Sequence, residues 1–245
     1  MNIDQQDRLF SNTLEQIDAF AFNDDVAQVF SDMIRRSVPG YGLTLSMLGV
    51  LARQHVTDES SVYDLGCSLG AGIFAMREKI KANSVTIIGV DTSDAMLSRC
   101  RDMIEKYDSP IPVELVCGDV RTTPINNASM AVMNFTLQFI PRENRLALLT
   151  RIHDGMKPGG VLVLSEKIAF DDEVEDRFQI DMHHAFKRTQ GYSDLEISQK
   201  RTALENVLIP ESIDVHHERL KDAGFSHSYT WFQCFNFSSI IAIKH

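Results

Sequence analysis

The stretch Val62-Tyr-Asp-Leu-Gly-Cys-Ser-Leu-Gly70 joins a short apolar run to a turn that contains two glycines. The run predicts a buried strand over Ser61–Leu65, and the glycines predict a tight turn that opens a helix at about Gly70. Gly66 has no Cβ, so its backbone can turn sharply and lie against a ligand. The free N–H groups at the start of a helix suit a carboxylate or a phosphate. The stretch therefore predicts a ligand-binding turn.

Two further predicted strands each bring an acidic residue to their carboxyl end. The run Val85–Val90 ends at Asp91, and the run Val113–Val116 leads to Asp119. The carboxyl ends of parallel strands meet at one edge of a sheet, where nucleotide-like ligands bind. We expect Asp91 to accept hydrogen bonds from a ribose diol and Asp119 to accept one from an adenine amino group. The alternative is a domain of the same fold whose strand-end acids only cap helices.

The glycine spacing argues against a dinucleotide ligand. A dinucleotide fingerprint reads G-x-G-x-x-G, whereas Ser68 stands in the position of its middle glycine. Because that glycine lets a pyrophosphate approach the backbone, this turn favours a ligand without a pyrophosphate. The set Asp64-Leu65-Gly66, Asp91 and Asp119 resembles the class I methyltransferases that use S-adenosylmethionine (SAM).

Strands and helices alternate through the predicted core. The helices are Gly70–Lys81, Ser93–Tyr107 and Glu143–Met156, and the additional strands are Met130–Phe135 and Val161–Ser165. A helix over Glu211–Ala223, closed by Gly224, precedes a hairpin formed by Tyr229–Gln233 and Phe237–Ile243. This order predicts an α/β, Rossmann-like, mostly parallel seven-stranded sheet in one SAM-binding domain over residues 1–245.

Two segments are predicted to lie outside that core. Residues 1–55 form an arm and a helical lid, in which one helix begins at Asn23-Asp24-Asp25 and ends before Pro39, and a second spans Leu43–Leu51. Residues 170–210 form a helical insertion after the fifth strand. Within it, Ser193 and Glu196 have the spacing of a capping box, so a helix is expected from Ser193 to about Val207.

Composition restricts the partners and the compartment. The net charge of −10 disfavours direct binding of nucleic acid, whose phosphates require a basic surface. Four cysteines without a C-x-x-C pair indicate reduced thiols in a cytoplasmic protein. No basic segment followed by an apolar run predicts a signal peptide, and no apolar run is long enough to predict a membrane span.

Several polar residues allow a structural interpretation beside a functional one. His183 and His184 are adjacent and point about 100° apart on a helix, so no metal site is predicted and both are expected at a surface or an interface. Cys67 is expected to pack rather than to act as a nucleophile. Asn134 can contact a substrate or form a turn, and the two readings are equally supported. Other charged side chains are expected to be solvated, namely Arg35, Arg36 and Lys200.

Longer motifs then identify one family. They are Val29–Ile34, Arg36–Tyr41, Tyr63–Gly70, Asn134–Phe139, Leu195–Arg201 and Trp231–Phe237. Together they resemble the carboxy-S-adenosyl-L-methionine (carboxy-SAM) synthases, a family within the class I SAM-dependent methyltransferase superfamily. The match extends from about residue 22 through the insertion to the final hairpin.

The resemblance implies a transferase that consumes SAM and prephenate and releases carboxy-SAM and phenylpyruvate. Family members start the bacterial pathway to 5-oxyacetyl uridine at the tRNA wobble position, and a separate tRNA carboxymethyltransferase uses their product. They are homodimers. Carbon dioxide lost from prephenate is captured on the SAM methyl carbon, so no protein general base and no metal are assigned. A closed, dry pocket is needed instead.

The resemblance also implies site residues. Arg201 matches the arginine that anchors the new carboxylate, either in its own subunit or across a dimer interface; without the resemblance it reads as a solvated helix charge. The residues that line the cofactor site are Tyr41, Gly66, Cys67, Ser68, Asp91, Thr92, Asp119, Val120 and Asn134, together with Arg201. No chemical role is expected for the first twenty residues. Alternatives are a conventional SAM-dependent small-molecule methyltransferase and a SAM-binding protein without catalysis.

Overall fold

Helices and strands alternate along the chain in the computed structural model, which describes residues 6–245. The helices are α1 (Asp24–Ser37), α2 (Tyr41–His55), α3 (Ala71–Arg77), α4 (Asp94–Lys106), α5 (Arg142–Gly155), α6 (Glu173–Thr189), α7 (Asp194–Leu204) and α8 (Ile213–Asp222). The strands are β1 (Ser61–Leu65), β2 (Thr86–Asp91), β3 (Val113–Cys117), β4 (Ala128–Asn134), β5 (Met156–Lys167), β6 (His227–Cys234) and β7 (Phe237–Ile243). A 3-10 turn, Leu137–Phe139, follows β4.

The strands form one seven-stranded sheet in the order β3-β2-β1-β4-β5-β7-β6. Strands β1 to β5 pair in parallel, and β7 pairs antiparallel with both β5 and β6. Helices cover both faces, so the central strand β4 is buried along nearly its whole length. The mostly parallel seven-stranded α/β sheet predicted from the sequence is confirmed.

Two apolar clusters hold the helices against the sheet. Leu149 and Ile152 of α5 pack with Leu220 of α8 on one face. Leu48 of α2 and Ile73 of α3 belong to the cluster on the other face. All five of these side chains are fully buried, and burying a residue of this size contributes about 1.5–3 kcal/mol.

Some predicted boundaries were wrong, and tertiary contacts explain the differences. Helix α3 ends at Arg77 rather than near Lys81, because the Arg77 side chain turns into the protein and donates to the carbonyls of Ile111 at 2.7 Å and Tyr107 at 3.1 Å. Strand β5 begins at Met156, where a helix stop was predicted. The segment that contains Gly159 pairs with Lys244: the Gly159 N–H donates to the Lys244 carbonyl at 2.7 Å, and the Lys244 N–H donates to the Gly160 carbonyl at 3.0 Å.

The two helices predicted for the lid are present as α1 and α2, which precede β1. The Asn23 side chain caps α1 by accepting a hydrogen bond from the Val26 N–H at 3.0 Å. Arg36 was predicted to be solvated, and this was wrong. Its guanidinium is buried and donates to Asp32 at 3.0 Å and to the Gln190 carbonyl at 2.7 Å, so it ties α1 to the insertion.

The arm before α1 runs over α7 without regular secondary structure across residues 6–23; residues 1–5 of the predicted arm lie outside the described part of the chain. The Gln199 side chain accepts from the Leu14 N–H at 2.8 Å and donates to the carbonyls of Phe10 and Asn12 at 2.9 and 2.8 Å. The Phe20 N–H donates to the Ala203 carbonyl at 2.9 Å. The arm is therefore fastened to the insertion along its length.

The insertion consists of α6 and α7. Ser193 and Glu196 form the predicted capping box at the start of α7, although α7 ends at Leu204 rather than Val207. Two predictions of surface exposure were wrong: His183 and Lys200 are both buried. Lys200 lies one turn from Ile197 on the side of α7 that faces the protein, so the burial of the helix carries the lysine inward. Within residues 6–245, none of the helices has the length and apolar character to cross a bilayer.

Candidate functional site

A cavity of about 760 Å³ opens at the carboxyl edge of β1, β2 and β4. Its volume lies within the range of about 300–1,000 Å³ that small-molecule sites occupy. Nine of the ten residues predicted for the cofactor site line it: Tyr41, Gly66, Cys67, Ser68, Asp91, Thr92, Asp119, Val120 and Asn134. Arg201, the tenth, is exposed on α7 and is not among the lining residues.

The ligand-binding turn depends on two glycines. Gly66 has a φ of +87°, and a Cβ placed there would lie 2.2 Å from the Thr136 Oγ1. Gly72, at the start of α3, leaves room for the Asp64 carboxyl, whose Oδ2 would lie 2.7 Å from an added Cβ. Ser68 also has a left-handed backbone, with a φ of +49°, which is uncommon for a residue other than glycine. The turn is thus held in a shape that keeps its backbone close to the cavity.

Asp91 is oriented by this turn. Its Oδ2 accepts a hydrogen bond from the Ser68 N–H at 2.9 Å, and its Oδ1 accepts one from the Ser93 N–H at 2.9 Å. Burial raises the pKa of Asp91, and these backbone donors oppose that rise. Each carboxylate oxygen has a further lone pair, so the side chain can still accept hydrogen bonds from a diol in the cavity.

Asp64 is a lining residue that the site prediction omitted. Its carboxyl is buried, and its pKa rises to about 7, first because of burial and second because of the Asp91 charge. A cationic group in the cavity would stabilise the ionised form of this carboxyl. The signal was available, because Asp64 is the next-to-last residue of β1, close to the edge of the sheet at which Asp91 ends β2.

Asp119 lines the cavity in an ion pair. The Arg121 guanidinium donates to its Oδ2 from Nε at 2.8 Å and from Nη2 at 2.6 Å, and this contact holds the pKa of Asp119 below its usual range. A ligand amino group at Asp119 therefore has to share the carboxylate with Arg121. The neighbouring Val120 is buried and supplies apolar surface at the same place.

Asn134 has a side-chain oxygen that suits an N–H donor. It is the last residue of β4, and its Oδ1 is buried with no hydrogen-bond partner among residues 6–245. The turn after β4 is made by Phe135, whose φ is +63°, and not by Asn134. A buried acceptor left alone is costly, so a donor on a ligand in the cavity would satisfy it. Together with Asp91 and the glycine turn, this acceptor fits the polar groups of SAM.

Aromatic rings connect the end of β4 to His183 of the insertion. The Phe135 ring lies 6.5 Å from the Tyr41 ring and 5.9 Å from the Phe237 ring, and the Phe237 ring lies 4.8 Å from His183. Burial and the Asp64 charge raise the pKa of Tyr41 well above its usual range, so the phenol stays protonated. Burial also raises the pKa of the Cys67 thiol, in keeping with its predicted packing role.

The part of the cavity formed by β5 and the insertion carries cations that the sequence analysis did not predict. Lys167, Lys187 and Lys200 all line the cavity, together with His183. The His183 Nε2–H donates to the Ser37 carbonyl at 2.8 Å, since a carbonyl can only accept and this nitrogen must therefore carry the proton. Burial and the Lys167 charge lower the pKa of His183 to about 3, so the ring is neutral near pH 7. Lys167, at the carboxyl end of β5, could have been found by the strand-end rule.

The amino-terminal arm also reaches the cavity. Phe20 and Phe22 line it, and the Phe22 ring lies 5.4 Å from the ring of Phe139 in the 3-10 turn. No chemical role was expected for the first twenty residues, yet Phe20 forms part of the wall. Among the described residues, no group of three His, Cys, Asp or Glu side chains is placed to hold a metal ion.

Comparison with solved structures confirms the fold. A putative O-methyltransferase from Nostoc punctiforme superimposes with a TM-score of 0.64 at 15% identity, covering 90% of this chain and 59% of that one. Human N-acetylserotonin methyltransferase, solved in complex with SAM, gives a TM-score of 0.59 at 15% identity, covering 90% of this chain and 55% of that one. These similarities show a class I SAM methyltransferase fold.

Comparison of sequences is more specific. A family model described as a methyltransferase domain matches residues 62–160. The carboxy-S-adenosyl-L-methionine synthase of Actinobacillus pleuropneumoniae serotype 5b is 55% identical over 239 residues, covering 98% of this chain and 99% of the relative. The protein of the same name from Geobacter sp. strain M21 is 54% identical, covering 97% of this chain and 98% of the relative. The chain is therefore an enzyme, a transferase on a methyltransferase fold, and it belongs to the carboxy-S-adenosyl-L-methionine synthase family.

Proposed function

We propose that this chain converts SAM and prephenate to carboxy-SAM and phenylpyruvate. The observation that supports the proposal is the division of charge within one cavity. The carboxyls of Asp64 and Asp91 lie near the ends of β1 and β2, and three lysines line the cavity from β5 and the insertion. SAM brings an ammonium, a sulfonium and a ribose diol that match the acidic side. Prephenate brings two carboxylates, which match a basic side.

The atoms of the reaction balance without an oxidant or a further reactant. Prephenate loses its ring carboxylate as carbon dioxide and its ring hydroxyl as hydroxide, and the ring becomes aromatic in phenylpyruvate. The SAM methyl carbon loses one proton and forms a carbon–carbon bond to the carbon dioxide. The proton and the hydroxide make water. No protein group is assigned as the general base.

We propose the following roles for the residues that line the cavity. Asp91 receives the ribose diol, Asp119 the adenine amino group, and Asn134 an N–H donor of the ligand. The other predicted lining residues shape the pocket around these contacts. The aromatic wall of Tyr41, Phe135 and Phe237 excludes water from the reacting carbons, as capture of carbon dioxide requires.

Arg201 is the proposed anchor of the new carboxylate. Its side chain is exposed in the single chain, which favours action across an interface between two copies. The outer side of α6 supports such an interface, because Val174 and Phe178 lie one turn apart and are 79% and 58% exposed. We therefore propose a homodimer in which the insertion, residues 170–210, is both cap and interface.

Complementation tests the dimer and the position of Arg201 together. Arg201→Met and Asp91→Asn should each lose activity as separate proteins, and co-refolding them should restore part of it if Arg201 acts on the partner's pocket. If Arg201 acts within its own subunit, both pockets of the mixed dimer stay defective and no activity returns. Analytical ultracentrifugation of Phe178→Asp checks the interface, since a monomer is expected.

Carboxy-SAM would supply the carboxymethyl group for 5-oxyacetyl uridine at the tRNA wobble position. The net charge of −10 supports transfer by a separate tRNA carboxymethyltransferase rather than by this chain. Four free cysteines fit a cytoplasmic setting for both steps. With carboxy-SAM and unmodified tRNA, the protein alone should modify nothing. Modified uridine formed by this protein alone would contradict the proposal that a separate enzyme carries out the transfer to tRNA.

Mass spectrometry provides the direct test. The protein is incubated with SAM and with prephenate whose ring carboxylate carries ¹³C, and the nucleoside products are analysed after denaturation. The proposal expects labelled carboxy-SAM and an equal amount of phenylpyruvate. Unlabelled carboxy-SAM would reject prephenate as the carbon source. S-adenosylhomocysteine with a methylated acceptor would instead indicate a conventional methyltransferase.

A further inference from the structure

Three lysines from three separate elements meet on one wall of the cavity. Lys167 ends β5, Lys187 lies in the last turn of α6, and Lys200 lies on α7. The side chains of Lys187 and Lys200 are only 5% and 6% exposed. Lysine is almost never buried to this extent unless its charge is compensated, so the position of this lysine wall needs an explanation.

Compensation by the protein itself is incomplete. The Lys200 ammonium lies 3.9 Å from the Asp7 carboxylate and donates to the Ser37 hydroxyl at 3.2 Å. Within residues 6–245, Lys167 and Lys187 have no carboxylate within 4 Å of their ammonium groups. Desolvation lowers the pKa of Lys187 to about 8 and that of Lys200 to about 7, and the neighbouring cations add to the effect.

The Tyr192 ring lies beside the ammonium groups of two of these lysines. The Lys187 and Lys200 ammonium groups lie 5.2 and 5.8 Å from the centre of the Tyr192 ring. The Tyr192 hydroxyl donates to Asp7 at 2.5 Å. The Arg36 guanidinium stacks on the same ring at 3.9 Å, and its own hydrogen bonds are made to Asp32, Gln190 and Asp7. The two lysines therefore remain the cations that this cluster can offer to the cavity.

We propose that Lys187 and Lys200, assisted by Lys167, bind a carboxylate of the second substrate within the same subunit. Lys167 is opposite Phe237 in the β5–β7 pairing, and the Phe237 ring contacts that of Phe135. Strand β4 separates β5, which carries Lys167, from β1 and β2, which carry the acids that receive SAM. This assignment adds a second cationic contact to the one given to Arg201, and it uses residues whose position does not depend on a partner copy.

The inference rests on the proposed function for the identity of the second substrate, although not for its negative charge. A bound carboxylate favours the charged form of each lysine, so both ammonium groups become fully protonated when the acid binds. Ammonium groups bind carboxylates as point charges, so removing one of them weakens binding without altering the shape of the SAM side.

Steady-state kinetics test the wall with Lys187→Met and Lys200→Met. Methionine keeps the length and apolar stem of lysine. Each variant should raise the KM for prephenate by about 10-fold or more, because a charged hydrogen bond of this kind accounts for roughly that factor. The KM for SAM should stay within about twofold. Lys187→Arg should recover part of the lost affinity, and the exposed Lys81→Met serves as the control.

A binding measurement separates this inference from the proposed function. Phenylpyruvate, a monocarboxylate, is titrated calorimetrically into each protein saturated with S-adenosylhomocysteine, and saturation itself shows that the variant is folded. If the wild type turns over prephenate and both variants keep its KM, the lysine assignment is wrong while the function stands. If the wild type turns over no prephenate, the function is wrong, and the lysine site is judged by phenylpyruvate alone. Weaker binding to both variants supports it, and equal binding overturns it.

Discussion

The Asp91 carboxylate accepts a hydrogen bond from the Ser68 backbone N–H at 2.9 Å, so the end of β2 holds the turn that follows β1. This contact joins two of the three strand ends from which the site was predicted. It gives Asp91 two tasks: it shapes the backbone of the turn, and it presents its remaining lone pairs to the cavity. Substitutions at Asp91 therefore test the SAM side of the pocket directly.

Asp91→Asn should weaken SAM binding by roughly 10- to 100-fold. An amide has one acceptor oxygen, so it cannot accept from both Ser68 and Ser93 and also from a ribose diol, and charge-assisted hydrogen bonds are worth about 1.5–3 kcal/mol each. Isothermal titration calorimetry with SAM measures the change. Asp102→Asn removes the same charge from the exposed side of α4 and should bind SAM normally. Equal affinities for the two variants would falsify the role given to Asp91.

Gly66→Ala should abolish SAM binding and lower the thermal midpoint. An alanine Cβ would lie 2.2 Å from the Thr136 Oγ1 at a φ of +87°, so the turn has to move away from the shape it now holds. Gly42 on α2 is the matched control, because a Cβ there meets nothing within 4 Å. Gly42→Ala should be neutral or should stabilise the protein by up to about 1 kcal/mol. Differential scanning fluorimetry with and without SAM compares the two, and retained binding by Gly66→Ala would contradict the geometry.

The Asp7–Lys200 pair should show coupled energetics. Asp7→Asn leaves the buried Lys200 without its only carboxylate within 4 Å among the described residues, and Lys200→Met leaves Asp7 unpaired. A buried charge that loses its partner destabilises the protein more than loss of both charges does. A double-mutant cycle by urea denaturation should therefore give a coupling energy of about 1–3 kcal/mol. Additive effects would show that the amino-terminal arm does not compensate Lys200.

His216 should make the protein sensitive to acid. Burial, followed by the Arg219 charge, lowers its pKa from 6.5 to about 4, and neither ring nitrogen has a hydrogen-bond partner among residues 6–245. Between these two pKa values the unfolded chain binds the proton and the folded chain does not. The stabilisation is therefore complete above about pH 6.5 and is lost as the pH falls toward 4.

His216→Phe should reduce this sensitivity. Between pH 7.5 and pH 5.5, its free energy of unfolding should fall by about 1 kcal/mol less than that of the wild type. Denaturation by urea at the two pH values measures the difference. The exposed His227 is the control, since His227→Phe makes the same substitution at the surface rather than in the interior. A parallel pH dependence in His216→Phe would show that this ring titrates normally.

Local patterns in the sequence determined the sheet and the SAM side of the cavity. Strand β1 has its predicted bounds, Asn23 and Ser193 cap the helices as expected, and nine predicted residues line one cavity. These features could be predicted from the sequence because each depends on residues that are close in the chain. A strand end, a glycine turn and a helix cap are short, and parallel strands bring their ends to one edge.

The tertiary structure alone decided where the long charged side chains lie. Lys200 and Arg201 are consecutive, yet Lys200 is buried beside Asp7 and Arg201 is exposed. Lys200 lies on the side of α7 that also carries Ile197, and the arm and α6 pack on that side, whereas Arg201 lies on the solvent side. Burial of a lysine depends on partners far away in the chain. The residues of the SAM side could therefore be predicted from local sequence. The lysine wall could not, because its three lysines meet only when the insertion, the arm and β5 pack together.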